Sequence, residues 1–300
     1  MKKYLGIDLG GTNVRVGVVT EDGTVLQQVK SVSYAQDGVT KVLDNLKQMV
    51  YGIEDYKSCS GIGIGLPGPC DTVHGKMVLS TNLPGFAGYP MVEELQKDFG
   101  LPVFIDNDAN VAGLAEARVG AGKGLPIVFY ITMSTGIGGG LIVNGQTVSG
   151  RSGFTGEIAN LIIDRNRKKV NYLNIGAIEN EASGTAIKRK AKEAMPDRTF
   201  EHTGQVIDLA VEGNMQAKMI FDQFTYDLAQ MFSEIGAVLD PDMYVIGGGM
   251  TKSADKFMPT VIEKYRTLVH EQLRDTPFAL AKLEEPGIIG AAMLPISKGC

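Results

Sequence analysis

The sequence has too few cysteines to build a disulfide framework. It contains three among 300 residues, Cys59, Cys70 and Cys300, and none of them form a CxxC pair. So few thiols exclude a disulfide-stabilised secreted scaffold and are typical of a reducing cytosol. We interpret all three as buried or terminal thiols.

Excess positive charge and long apolar runs are also absent. The net charge of −5 provides no basic field for nucleic acid or an anionic membrane surface. The first apolar segment is interrupted at Asp8 and by glycines, so no signal-peptide core forms, and no membrane-spanning run follows. We therefore predict a cytoplasmic protein with a small-molecule ligand, whose phosphates would be bound by local backbone geometry.

A hydrophobic content of 44% over 300 residues is enough for a sizeable core and two lobes. Alternation and turn residues predict strands at 4–9, 14–20 and 24–33, joined by a tight turn at 10–13 and an Asp22-Gly23 hairpin. Helical spacing then predicts a helix at 39–51, followed by a strand at 59–66. Helices therefore alternate with strands after the opening hairpins.

The opening plan occurs a second time. Roughly 125 residues after the opening strands, the sequence again predicts a strand at 127–133, a glycine-rich turn at 134–140, a strand at 141–143 and an Asn144-Gly145 turn. This repetition indicates two related lobes rather than a short-period solenoid. A cleft between lobes is the usual place for a ligand. Further along, 215–239 predicts a long amphipathic helix whose apolar residues, including Met219, form core or a subunit interface.

Three glycine turns lie at strand ends, at 10–13, 134–140 and 245–250. Such turns can direct backbone N–H groups into one concavity that suits phosphate oxygens, although each alone can also be only a tight turn. The first two lack the Gly-Lys-Ser/Thr of a Walker loop, and no helix follows them as in a dinucleotide fingerprint. The third would let a flat base approach the backbone. Together they indicate a nucleotide.

Asp8 ends the first strand directly before its glycine turn. A carboxylate is costly to bury there, but it is well placed to face a magnesium ion through water. The alternative is an aspartate that only caps the turn.

Six motifs follow one another along nearly the whole chain. They are DLGGTN at 8–13, LPG at 66–68, NLPG at 82–85, DNDAN at 106–110, STGIGG at 134–139 and GGG at 247–249. In order and spacing they resemble the ROK family of bacterial sugar kinases and regulators. The resemblance implies an α/β protein with the actin-like ATPase (ribonuclease-H-like) fold, whose two lobes close on ATP and a hexose. The N-terminal lobe would be 1–115, completed by the C-terminal helix 287–300, and the C-terminal lobe 116–286.

The resemblance also implies the site residues. Those for ATP are Asp8, which would also face Mg²⁺, with Gly10, Gly11, Thr12, Asn13, Thr135, Gly136, Gly138, Gly248 and Gly249. Those for the sugar are Gly68, Asn82, Asn107, Asp108, Glu157, Asn160 and Glu179. Arg15, on the strand that leaves the first turn, is placed to reach a phosphate, although an arginine on such a strand face is as often solvated. We interpret the basic runs at 168–169 and 188–192 as solvated faces.

Asp108 is the residue that the resemblance implies as the catalytic base. Transfer to a sugar hydroxyl needs a group that accepts its proton as the phosphoryl group arrives. Asp108 follows the strand 103–105 and precedes a helical run at 109–117, where the alternative is a helix N-cap. Asp106 is the weaker candidate, because the family motif places the base at the later aspartate.

One stretch departs from the family pattern. Zinc-containing relatives hold a structural zinc with one histidine and three cysteines, whereas this sequence has Asn160, Val170, Tyr172 and Ala177 at those positions. No zinc is therefore expected, and we predict that packing of Tyr172, Leu173, Ile175 and Ile178 replaces it. Asn160 would take over part of the histidine's hydrogen bonding to the sugar.

The implied activity is ATP-dependent phosphorylation of the 6-hydroxyl of a hexose, with glucose as first choice. An N-acetylmannosamine kinase or another hexose kinase of the family is the alternative. A non-catalytic sugar-binding regulator is less favoured. The sequence starts directly with the first phosphate strand, so we expect no N-terminal DNA-binding domain, and the acidic composition argues against one as well. The chain also keeps Asp8 and Asp108, which argues against a non-catalytic protein. The family commonly forms homodimers, which we expect here too.

Overall fold

The structure, a computed structural model, describes residues 1–300. The strands are β1 (Lys3–Leu9), β2 (Asn13–Thr20), β3 (Val25–Val32), β4 (Ile62–Leu66), β5 (Cys70–Asp71), β6 (Lys76–Met77), β7 (Val103–Asn107), β8 (Ile127–Met133), β9 (Ile137–Val143), β10 (Gln146–Thr147), β11 (Met243–Gly247) and β12 (Phe278–Leu280). The helices are α1 (Val39–Tyr51), α2 (Met91–Phe99), α3 (Asp108–Val119), α4 (Ile178–Ala182), α5 (Gly184–Ala194), α6 (Thr203–Val211), α7 (Met215–Leu239), α8 (Ala254–Leu268) and α9 (Pro286–Ser297).

The first sheet has the strand order β3-β2-β1-β4-β7. Its first three strands pair antiparallel, whereas β1, β4 and β7 run parallel, with Asp8 beside Gly65 and Leu66 beside Asn107. The carboxyl ends of parallel strands meet at one edge of a sheet. That edge therefore carries the turn after β1, the Pro67-Gly68 segment after β4 and the start of α3 after β7.

The second five-stranded sheet has the order β10-β9-β8-β11-β12. Ranked by position along the chain, its strands follow the same order as those of the first sheet. The hairpin between β9 and β10 turns at Asn144 (φ 51°) and Gly145 (φ 68°), both left-handed as a type I′ turn requires. The repeated plan predicted from the sequence is confirmed.

The predicted extent of the second glycine turn is wrong. The turn covers only 134–136, because β9 begins at Ile137 and Gly138 to Gly140 belong to the strand. A Cβ on Gly140 would lie 2.8 Å from the carbonyl oxygen of Ala109 and 2.9 Å from the Cα of Asn110. The glycine at 140 thus lets the strand pass close to α3, a purpose that the sequence pattern does not distinguish from a turn.

The chain forms two compact units. The first contains Met1–Tyr130, Gly140–Gly156 and Ala281–Cys300, and the second contains Ile131–Gly139 and Glu157–Leu280. The lobe limits expected from the sequence remain a prediction.

Helix α9 belongs to the core of the first unit. A Cβ on Gly6 would overlap the carbonyl of Ile288, and one on Gly63 would overlap that of Ala291. The glycines of β1 and β4 therefore allow α9 to lie directly on the backbone of the sheet, where its residues from Ile288 to Pro295 are all buried.

Helix α7 has the bounds predicted from its spacing. Its buried apolar residues include Phe224, Leu228 and Phe232, whereas Met219, placed in the same predicted stripe, is 71% exposed. None of the helices combines the length and apolarity needed to cross a lipid bilayer.

Candidate functional site

The turn at 10–13, called the first turn below, lies against the segment that carries Asn82. It is closed by the Gly10 N–H donating to Asn13 O at 2.9 Å. A Cβ on Gly11 would lie 2.9 Å from the carbonyl oxygen of Asn82, so only glycine permits this approach. Thr12, Asn13 and Asn82 are exposed. The structure therefore brings the predicted phosphate turn and one predicted sugar residue together.

Asp8 and Arg15 face each other across β1 and β2. The Arg15 Nη1 lies 3.9 Å from Asp8 Oδ2 and 2.8 Å from Glu285 Oε2. Burial raises the pKa of Asp8, the Arg15 cation opposes that rise, and the Glu285 charge adds to it. A Cβ on Gly287 would lie 2.9 Å from the Asp8 carboxyl carbon, so the absent side chain at 287 leaves room beside this carboxylate.

Glu285 is a residue of this cluster that sequence reasoning missed. It directly precedes α9 and does not use its side chain to cap that helix. Its ion pair also means that Arg15, although its side chain is 36% exposed, is paired with a carboxylate in this structure. The available signal was an acidic residue two positions before the predicted C-terminal helix at 287–300.

Asp106, Asn107 and Asp108 have three different environments. Asp106 is 1% exposed and accepts hydrogen bonds from Asn107 N (2.8 Å), Asn110 Nδ2 (2.8 Å) and Ser149 Oγ (2.9 Å). The Asn107 side chain caps α3 by accepting from the N–H groups of Ala109 (2.9 Å) and Asn110 (3.4 Å). Asp108 is therefore not the N-cap. It is the first helical residue, its Oδ1 accepts from Ala109 N at 2.8 Å, and its side chain is exposed.

In the second unit, Glu179 on α4 lies against the turn at 134–136, called the second turn below. Its Oε2 accepts a hydrogen bond from Ile137 N at 3.0 Å, and a Cβ on Gly136 would overlap this oxygen. Glu157 is exposed to solvent, but protein atoms around its carboxylate raise its pKa by desolvation, and the Glu179 charge raises it further. The two glutamates predicted for the sugar therefore lie within electrostatic range of each other.

A pocket of about 520 Å³ opens beside the second turn. This size is typical of small-molecule sites, which span about 300–1,000 Å³. Its lining comprises Ser134, Thr135, Gly184, Thr185, Lys188, Glu201, His202, Thr203, Gly204, Ile207, Gly249, Met250, Lys252 and Ser253. Gly248 (φ 88°) lies on the Met133 backbone, where a Cβ would overlap the Met133 carbonyl. The second and third glycine turns thus meet at one pocket.

The lysines of this pocket were missed by sequence reasoning. Lys188 was placed on a solvated face and instead lines the pocket with Lys252. In the same basic run, Arg189 donates to Asn180 O at 2.7 Å and Lys190 to Glu181 Oε2 at 2.6 Å. The solvated-face interpretation is therefore wrong for 188–190. Lys188 lines a pocket, and Arg189 and Lys190 are paired with residues of α4 that the sequence pattern does not identify as partners.

A sequence model described as the ROK family matches residues 4–298. The chain belongs to the ROK family. Over 306 residues it is 30% identical to the glucokinase of Thermotoga maritima, covering 97% of this chain and 96% of the relative.

Two solved ROK structures match the fold. The ROK hexokinase from Thermus thermophilus has a TM-score of 0.85 at 31% identity, covering 98% of this chain and 97% of its own. The ROK glucokinase from Streptomyces griseus, solved with glucose and AMPPNP, has a TM-score of 0.77 at 26% identity, covering 97% of this chain and 98% of its own. The expected actin-like ATPase fold is confirmed.

The segment that departs from the zinc-containing ROK pattern is held by hydrogen bonds. Asn160 is exposed, and its Oδ1 accepts from Asn174 N at 2.7 Å. The same two stretches of chain are also joined by antiparallel backbone contacts, in which Ile163 N donates to Gly176 O at 2.9 Å. The structure brings together no group of three or more His, Cys, Asp or Glu that could hold a metal ion.

The predicted apolar packing of this ROK segment is half wrong. Leu173 and Ile178 are buried, but Tyr172 is 84% exposed and Ile175 44% exposed. An ion-pair network around Arg167 anchors the segment instead. Arg167 contacts Asp164 at 2.8 Å, Glu181 at 3.1 Å and Asp227 at 3.0 Å.

The buried end of this network is incompletely paired. The Asp227 side chain is 2% exposed, and its Oδ2 has no hydrogen-bond partner. Burial raises the pKa of Asp227, although Gln223 and Arg167 oppose the rise. The Arg167 guanidinium is thus the closest cation to a desolvated carboxylate.

Proposed function

We propose that this ROK protein is an ATP-dependent hexose kinase that transfers the γ-phosphoryl group of ATP to the 6-hydroxyl of glucose. The observation that carries the proposal is the position of Asp108, an exposed carboxylate at the sheet edge that also bears the first turn. The neighbouring Asp106 is buried with three hydrogen bonds, and Asn107 Oδ1 is used as a helix cap. The similarity to a glucokinase supports the choice of sugar.

Asp108 acts as the general base in this proposal. Its carboxylate accepts the proton of the 6-hydroxyl as that oxygen bonds to the γ-phosphorus, and ADP leaves with the electron pair of the broken bond. Asn107, whose Nδ2 remains to donate, binds the sugar with Gly68, Asn82, Glu157, Asn160 and Glu179. Buried polar groups that pair with hydroxyls select against sugars lacking them.

The nucleotide is assigned to the glycine turns. The first turn, with Gly10, Gly11, Thr12, Asn13 and Arg15, and the second turn, with Thr135 and Gly136, bind the phosphates, with Gly138 close behind in β9. Gly248 and Gly249 face the adenosine in the pocket beside the second turn. The pocket volume and the meeting of two glycine turns support this assignment.

Asp8 is the residue proposed to hold Mg²⁺ through water. The fit rests on a half-buried carboxylate whose pKa is raised by burial, beside the space that Gly287 leaves open. Mg²⁺ keeps several waters and binds one or two carboxylates plus substrate phosphates. When bound, it would neutralise charge on the phosphate oxygens.

The test is a coupled assay of ADP release across glucose, fructose, mannose, allose, N-acetylglucosamine and N-acetylmannosamine. Highest kcat/KM with glucose supports the proposal. Highest kcat/KM with N-acetylmannosamine supports the alternative. Sugar binding without ADP release from any sugar would indicate the non-catalytic regulator.

The KM for the hexose is expected to rise as the pH is lowered. The pKa of Glu157 is raised, so its carboxylate takes up a proton at a higher pH than an ordinary glutamate, whose pKa is about 4.3. Protonation removes an acceptor for sugar hydroxyls. KM measured from about pH 8 to about pH 5 checks this, and Glu157→Gln should have a higher KM that varies less with pH. An unchanged pH profile in that variant contradicts the role of Glu157.

A homodimer in the cytoplasm completes the proposal. The family pattern supports the dimer, and the acidic composition without a membrane-crossing helix accords with a cytoplasmic enzyme. Sedimentation analysis of the purified protein measures the oligomeric state.

A further inference from the structure

We propose that Glu179 is a positioning residue that couples hexose binding to nucleotide binding, by holding the second turn with one carboxylate oxygen and the sugar with the other. The inference rests on the proposed function, because the sugar role of Glu179 belongs to it. The contact with the turn is independent of that role.

The contact is direct and leaves no room for an intervening side chain. Glu179 Oε2 accepts from Ile137 N at 3.0 Å, and any Cβ on Gly136 would overlap that oxygen. Ile137 is the first residue of β9, immediately after the turn. The carboxylate therefore fixes the backbone at the point where the turn enters the strand.

The opposite side of the second turn is held by backbone alone. Gly184 N donates to Ser134 O at 2.9 Å, and Thr185 N donates to Thr135 O at 3.3 Å. Within the turn, Ser134 N donates to Gly136 O at 2.9 Å. Among the hydrogen bonds described for 134–137, the one that Glu179 Oε2 accepts from Ile137 N is the only one that involves a side chain. A ligand that changes the position of the Glu179 carboxylate can therefore change the position of the turn backbone.

The Glu179 carboxylate also lies within electrostatic range of a predicted sugar residue. Its charge acts on Glu157, a second predicted sugar residue. A carboxylate has two oxygens and accepts several hydrogen bonds, so Oε1 can receive a hydroxyl while Oε2 keeps the Ile137 N–H. A hydroxyl on Oε1 restricts rotation of the carboxylate, which orders Oε2 and hence the turn beside the nucleotide pocket. By linkage, the nucleotide then strengthens sugar binding by the same factor.

The glutamine variant separates the two functions of this carboxylate. Glutamine has one acceptor oxygen, and its NH₂ group cannot accept from Ile137 N–H. Glu179→Gln has a donor in place of one of the two acceptor oxygens, so it cannot accept from the Ile137 N–H and from a sugar hydroxyl at the two positions at once. Glu157→Gln is the matched control, because it removes a charge from the same group of residues without touching the second turn.

The experiment is calorimetric titration of AMPPNP with and without a saturating hexose, namely the sugar of highest kcat/KM in the ADP-release assay. We expect the hexose to tighten AMPPNP binding to the native protein by about 5–150-fold, the usual range of coupling between sites. The factor should fall to about 1 in Glu179→Gln and persist in Glu157→Gln once the sugar is saturating. Thermal unfolding confirms that each variant is folded.

Gly136→Ala is the second variant, because its added methyl group would overlap Glu179 Oε2 and displace the carboxylate. It should lose the coupling as Glu179→Gln does, and it keeps the proposal testable if the latter does not fold. No coupling in the native protein, or equal coupling in native protein and Glu179→Gln, overturns the inference while ADP release leaves the kinase assignment intact. Absence of ADP release from every sugar overturns the kinase assignment instead.

Discussion

Replacement of Asp108 by asparagine is expected to lower kcat by about 10²–10⁴-fold, the usual contribution of a positioned general base. Asparagine keeps the size of the side chain but cannot accept the hydroxyl proton. The KM for the hexose should change little, because the lost interaction strengthens only as the proton is transferred. Steady-state kinetics with saturating ATP measure both parameters.

The matched control for this variant is Asp255→Asn. Asp255 is also an exposed aspartate in the first turn of a helix, so it tests the general effect of losing an acid near a helix N-terminus. It should retain native kcat. A kcat close to native in Asp108→Asn would remove Asp108 from the mechanism, and with it the main support for the proposed function.

Replacement of Arg167 by glutamine is expected to lower the free energy of unfolding by about 3–5 kcal/mol, the usual cost of leaving a buried partner uncompensated. The exposed fractions of the Glu181 and Asp227 side chains are 4% and 2%. Glu181 keeps Lys190 at 2.6 Å, whereas Asp227 loses its closest cation. Urea unfolding followed by circular dichroism gives the difference in free energy.

Two further variants identify the cause of the loss. Arg165→Gln is the matched control, because Arg165 is exposed and two residues away, and surface changes usually stay within about 0.5 kcal/mol. Asp227→Asn in the Arg167→Gln background should recover part of the stability by removing the unpaired charge. If the double variant is no more stable than Arg167→Gln, the buried charge is not the cause.

The loss in Arg167→Gln should also depend on pH. The pKa of Asp227 is already raised by burial, and removal of the cation raises it further. A raised folded-state pKa contributes stability below the unfolded value of about 3.9, and that contribution is lost as the pH rises through the folded value. The variant should therefore be closest to native stability in acid and furthest from it near neutral pH.

Local patterns predicted the elements whose residues decide their own structure. The bounds of α1, α7 and β8 match the sequence prediction, because apolar spacing and flanking turn residues act over a few positions. The start of β9 was missed, since Gly138 to Gly140 read as a turn until the passing backbone of α3 is known. In the sequence, a glycine that permits close packing cannot be distinguished from a glycine that permits a turn.

The candidate site also has residues that a local sequence pattern predicts and residues that it does not. Asp8, Asp108 and the glycine turns lie at strand ends, as the sequence pattern predicted. The partners of Arg167 are spread from 164 to 227, and Glu285 meets Arg15 across 270 residues, so no local pattern could pair them. Such contacts depend on the packing of whole elements.

The position of α9 on β1 and β4 has a consequence for how the protein is made. The first unit needs residues 281–300 to cover its sheet, yet the ribosome synthesises them only after residues 1–280. At about 5–20 residues per second, residues 1–130 wait on the order of ten seconds or more for that helix. We expect the second unit to complete its fold before the first, and the nascent N-terminal sheet to be a natural client of chaperones during synthesis.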